Sequence, residues 1–158
     1  MTAARDLPVT LVPVMDEMME ASLSLPDGWT VEVDGESRLT CVADESWERN
    51  GFRPSITVQR YPNRTREQVS ALAASTLATI RESADAYPDF EFGWSQDEAG
   101  SDRVLRCYEF RLPGLQQRVR QVQGLIAGDG LFVVNCTEAA DDPRLDSTFI
   151  EIVRSVSG

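Results

Sequence analysis

The alternation of apolar and polar residues divides this chain into elements. Trp29, Val31 and Val33 alternate with Thr30, Glu32 and Asp34, the period-two pattern of a half-buried strand. Pro26-Asp27-Gly28 ends a preceding strand, and Asp34-Gly35 is a hairpin signal that returns the chain into Leu39, Cys41 and Ala43. Beyond the polar stretch "DESWERNGFR", where Asn50-Gly51 marks a loop turn, Ile56 and Val58 alternate with Ser55, Thr57 and Gln59. The period then changes. Thr65-Arg66-Glu67-Gln68 fits a capping box, and Val69, Leu72, Ala73, Thr76, Leu77 and Ile80 recur behind it at helical spacing. Three meandering strands are predicted over 103–112, 117–127 and 131–138, joined at Pro113-Gly114 and Gly128-Asp129-Gly130. Pro143 and an aspartate cap predict a closing helix that buries Leu145, Phe149, Ile152 and Val153. With no repeat, linker or low-complexity tract, these elements predict one α+β domain over 1–158, residues 1–20 forming a peripheral segment. Its expected architecture is a single antiparallel sheet with one long central helix and one C-terminal helix packed on it.

Register gives each sheet face a character. A Pro113-Gly114 hairpin that pairs odd positions with even ones sets Glu109 and Arg111 on the face carrying Arg118 and Arg120. That face reads as a cross-strand charge ladder rather than an anion clamp. The opposite face then carries Arg106, Tyr108 and Phe110 with Val119, Gln121 and Gln123. Two amides among aromatic and aliphatic side chains are unusual in a core, because each buried amide needs partners. The face is therefore either partly solvated or receives a ligand that hydrogen-bonds to it. Thr57, Gln59, Arg106, Tyr108, Gln121 and Gln123 are the candidate partner-binding residues.

Composition narrows the chemistry. The chain has 158 residues and a formal net charge of -11, and its 15 basic residues are all arginine. So acidic a surface disfavours nucleic acid and anionic lipid as partners. The absence of histidine and lysine removes imidazole-based triads, P-loops and Schiff-base chemistry. Cys41, Cys107 and Cys136 lack the paired spacing of a metal knuckle and number an odd three, so unpaired thiols in sheet strands are expected. Asp97-Glu98 and Asp141-Asp142 stand beside turn and cap signals, where carboxylates serve structure. No catalytic, metal or cofactor residue is expected. The start, "MTAARDLPVTLVPVMDEMMEA", lacks a signal-peptide core, and no transmembrane run occurs, so a cytoplasmic protein without membrane insertion is expected.

"SLPDGW" leading into strands, "RPSITVQRYPN" into a long helix, "RVRQVQGLIAGDGLFVVNCTEAADD" and a final "FIEIVRSV" together resemble the PsbP-like fold superfamily over residues 21–156. Its bacterial members include the LpqN lipoproteins and the DcrB/Eag family of secretion chaperones. Gln121-Val122-Gln123, the turn, "LFVVNCTE" and the closing helix look most like the chaperones. The resemblance implies a non-enzymatic adaptor for a secreted effector, one that shields the effector's apolar N-terminal segment on its sheet and can form a homodimer. The alternative it implies is an LpqN-type carrier or sensor of a small apolar ligand. A carboxylate- or thiol-dependent enzyme ranks behind both. The branch offers no catalytic residue to carry over.

Overall fold

A computed structural model describes residues 9–16, 21–34, 38–48, 51–61, 91–97, 103–111, 118–128, 130–141 and 143–156. The central helix expected behind Thr65 lies outside these residues, as do Met18, Met19, Asn50, Glu98 and Asp142. The described strands are β1 (Leu11–Asp16), β2 (Ala21–Pro26), β3 (Thr30–Asp34), β4 (Arg38–Val42), β5 (Ser55–Tyr61), β6 (Glu91–Asp97), β7 (Arg103–Arg111), β8 (Arg118–Gly128) and β9 (Gly130–Ala139). One α-helix among the described residues, α1 (Asp146–Ser155), closes the chain.

The expected single sheet is two sheets. β1 pairs with β2 alone, and the other seven strands run in the order β3-β4-β5-β9-β8-β7-β6, every neighbour antiparallel. The prolines that break the start as an apolar run do not prevent a strand, because Pro13 opposite Ser24 sits in a two-stranded ribbon where it lacks only an outer hydrogen bond. β2 stands apart from the large sheet, and its Ser24 amide donates to the Ser155 hydroxyl at the end of α1 (2.8 Å). Sheet also begins earlier than the sequence suggests. Residues 91–97 already form β6, whose register on β7 shifts between Phe92 and Trp94.

The β7–β8 hairpin has the expected register, with Glu109 opposite Arg120, Arg111 opposite Arg118 and Arg106 opposite Gln123. α1 covers the face that carries Leu105 and Cys107. Leu145, Phe149, Ile152 and Val153 are fully buried there with Leu39, Ile56, Val122, Val134 and the β2 side chains Leu23 and Leu25. Gly124 allows this close approach, for a Cβ built on it would lie 2.2 Å from Val153 Cγ1. Arg103 secures the far end of the helix, its guanidinium donating to the carbonyls of Val153 (2.9 Å), Arg154 (2.7 Å) and Val156 (2.9 Å). These are the carbonyls a helix C-terminus leaves without intrahelical donors.

The start of α1 differs from the expected proline and aspartate cap. The helix begins at Asp146, with Leu145 in the cap position and no side-chain cap bond of its own. Glu138 on β9 instead fixes the chain entering the helix, its carboxylate accepting from the Arg144 amide (2.7 Å) and the Leu145 amide (3.0 Å). Asp146 is turned to the sheet, where both its oxygens accept from Arg120 at 2.8 Å. Pro143 lies ahead of the helix, where its fixed φ directs the chain.

Two local expectations fail through exposure. Val31 and Val33 are each 40% exposed rather than half-buried, because β3 ends the strand order. Trp29 is buried, but it precedes β3 and meets Trp47 edge-on at 5.8 Å.

Candidate functional site

The six residues singled out from the sequence lie on one face of the large sheet, opposite α1. Register aligns Arg106, Gln123, Asn135, Thr57, Thr40 and Glu32 in one row across six strands. Tyr108, Gln121, Thr137 and Ser55 form the adjacent row, and Gln59 stands opposite Val133. These two rows are polar, but the same face also carries a buried apolar cluster of Val104, Leu125 and Leu131, with Val133 packed against it.

Hydrogen bonds knit its β7–β9 part. Arg106 Nε donates to Gln123 Oε1 at 2.7 Å, and Gln123 Nε2 donates to Asn135 Oδ1 at 2.7 Å. In the next row the Tyr108 hydroxyl donates to Gln121 Oε1, and Gln121 Nε2 donates to Thr137 Oγ1 at 3.0 Å. Each amide thus accepts on one side and donates on the other. This part is largely closed: Arg106 is 1% exposed, Gln123 8%, and Tyr108 is buried, while Gln121 is half-buried. Burial holds the Arg106 pKa below its usual value, against the opposing effect of Tyr108. Asn135 and Thr137, which complete the two ladders, are not among the candidates read from the sequence, although pairing of β9 with β8 sets them opposite Gln123 and Gln121.

Burial decreases along the same face towards β3. Asn135, Thr57, Thr40 and Gln59 are half-buried, and all five residues of β3 are exposed. At this end Thr30, Glu32, Thr40 and Val42 floor a cleft of about 360 Å³, walled by Ala43, Asp44, Glu45 and Arg53. The wall is held by local bonds. Asp44 Oδ1 accepts from the Ser46 amide at 3.0 Å and caps the short turn Glu45–Trp47. Arg53 lies 3.4 Å from Glu45 and 3.8 Å from Glu48, exposed pairs of the kind that contribute little to stability. Three carboxylates against one guanidinium leave the cleft acidic.

The opposite face carries the expected charge ladder, and it is structural. Arg120 bonds Glu109 at 2.7 Å as well as Asp146, while Arg118 lies 3.6 Å from Glu109. Burial alone would lower the Arg120 pKa, but the hydrogen bonds to Asp146 and Glu109 raise it. The Arg120 guanidinium ties α1 to the sheet through Asp146.

The three cysteines are free and buried on that α1 face. Register aligns them as Cys41, Ile56, Cys136, Val122 and Cys107, one per alternate strand. Strands lie about 4.8 Å apart, so successive cysteines are roughly 10 Å apart, beyond the ~7 Å reach of a disulfide. Burial pushes the Cys41 thiol up to about 11 and the Cys107 thiol up to about 12, and raises Cys136 as well. Such thiols are inert nucleophiles.

Comparison with known proteins rests on architecture alone, since no family model and no curated protein matches the chain. The solution structure of the cyanobacterial PsbP protein (CyanoP) from Synechocystis aligns over 96% of this chain and 94% of that one, at 18% identity and a TM-score of 0.53. The fold is PsbP-like. A Bacteroides thetaiotaomicron structure aligns over 92% of the chain but only 47% of its own length, at 8% identity and a TM-score of 0.53. A Pseudomonas aeruginosa protein of unknown function covers 84% of the chain and 85% of itself, at 19% identity and a TM-score of 0.44. In this PsbP-like chain, no helix among the described residues is long and apolar enough to cross a membrane.

Proposed function

We propose that this chain is a non-catalytic binding module for a protein segment, acting in the cytoplasm as a chaperone or adaptor for a secreted effector, in the manner of the DcrB/Eag branch of PsbP-like proteins. One observation carries the reading: the polar face is bonded shut at β7–β9 and opens at β3, a strand that no described strand pairs on its outer side. The receiving surface is therefore the β3–β5 end, including Thr57 and Gln59, while Arg106, Tyr108, Gln121 and Gln123 brace it. Thiols buried and held protonated speak against the thiol-dependent enzyme. The LpqN-type carrier needs an apolar pocket, whereas the cleft at the β3 end, with Glu32, Asp44 and Glu45 in its lining, suits a basic side chain.

Native mass spectrometry of the protein purified from its own host tests the proposal. The expected species is a complex of fixed stoichiometry with a polypeptide, and co-expression with a neighbouring secreted protein should reproduce it. A bound species of lipid mass, with no polypeptide, would overturn the proposal in favour of the carrier.

A further inference from the structure

Resting on the binding-module reading, we infer that β3 receives an extended partner segment as an added, eighth strand of the large sheet, and that this segment alternates apolar and basic residues. β3 ends the strand order, and its five residues are all exposed. An end strand presents a row of backbone donors and acceptors on its outer side, the template for strand addition. Its side chains divide by face. Val31 and Val33 point to the α1 side of the sheet, each 40% exposed, and Thr30, Glu32 and Asp34 point to the polar side.

Charge selects the occupant. An added strand places its side chains directly across from those of β3, so the position facing Glu32 needs a basic residue, and those facing Val31 and Val33 need apolar ones. The position facing Asp34 shares that carboxylate with Arg38 across β4. The cleft beside Glu32 lies on the same polar face and is large enough for an arginine or lysine side chain, with Asp44 and Glu45 on its wall. A second copy of the chain is the wrong occupant. Antiparallel self-pairing centred on Glu32 sets that carboxylate against its own copy, and each copy carries a net charge of -11.

The test uses the full chain and three short fluorescent peptides: alternating Arg and Val, alternating Glu and Val, and the Arg–Val composition in blocks. The Arg–Val alternating peptide should bind about tenfold or more tighter than the other two, and its affinity should fall with added salt. Hydrogen exchange should show protection of the 30–34 amides on binding. The exposed pair Glu32→Arg and Asp34→Arg should reverse the preference to the Glu–Val peptide. Binding without protection of 30–34, or a preference unchanged by the reversal, would overturn the strand addition and leave the binding-module reading standing. So would protection, in the free chain, of the alternate 30–34 amides that face away from β4, which means that another copy or another segment of this chain already occupies the edge. If no peptide binds and the host protein carries only lipid, both fail.

Discussion

At the scale of single residues, the polar face shows why amides in a sheet need not mark an interface. Gln123 accepts from a buried guanidinium and donates to a neighbouring amide, so its polarity is satisfied within the sheet. Gln123→Leu keeps the volume but removes both bonds, one of them to a charged donor. It should cost about 2–3 kcal/mol, read as a lowered denaturant midpoint. Thr57→Val, on the half-buried part of the face, should change that midpoint by less than about 0.5 kcal/mol. Equal effects would show that the two ends of the face do not differ as described. The side-chain directions of Arg106, Tyr108, Gln121 and Gln123 were legible from hairpin parity. The bonding that satisfies them was not, because the ladders end on Asn135 and Thr137, residues that look like ordinary strand polars until β9 is laid beside β8.

Between elements, the junction of β8 and α1 depends on a missing side chain. Gly124→Ala would drive a Cβ into Val153, whose branched side chain has little freedom to turn aside. The substitution should destabilise by about 1–3 kcal/mol, as overpacking does. Adding Val153→Ala should relieve the collision, so the double variant should lose less than the two single losses combined. Strict additivity in denaturant melts would place the helix elsewhere. The apolar positions of α1 were plain from helical spacing: Phe149, Ile152 and Val153 are buried as expected, as is Leu145 in the cap position. The start of α1 was misread because the chain entering it is held by Glu138 on the preceding strand, a contact that no local signature encodes.

For the whole molecule, strand order is what the sequence conceals. Alternation identified most strands, yet nothing in Val31 and Val33 distinguishes an end strand from an inner one. β1 and β6 escaped because Pro13 and the register shift beside Trp94 break their patterns. The cysteine row gives the molecule a shared response to alkali. An unfolded thiol titrates near 9.0, whereas the folded chain keeps the Cys41 and Cys107 protons to about 11 and 12. Stability should be level below pH 9 and fall above it, because there the unfolded chain releases protons that the folded chain retains. The slope is about 1.4 kcal/mol per pH unit for each thiol, and denaturant midpoints across that range, with Cys41→Ala losing one thiol's share, measure it. Because no two of these sulfurs can bridge, their oxidation state carries no information about the compartment the protein occupies. They serve instead as three fixed gauges of where the sheet comes apart. Cys41 lies one strand in from β3, Cys107 one strand in from β6, and Cys136 in the middle. Under native conditions a thiol reagent followed by mass spectrometry should label Cys136 last, and the order of the other two will tell which margin of the sheet frays first.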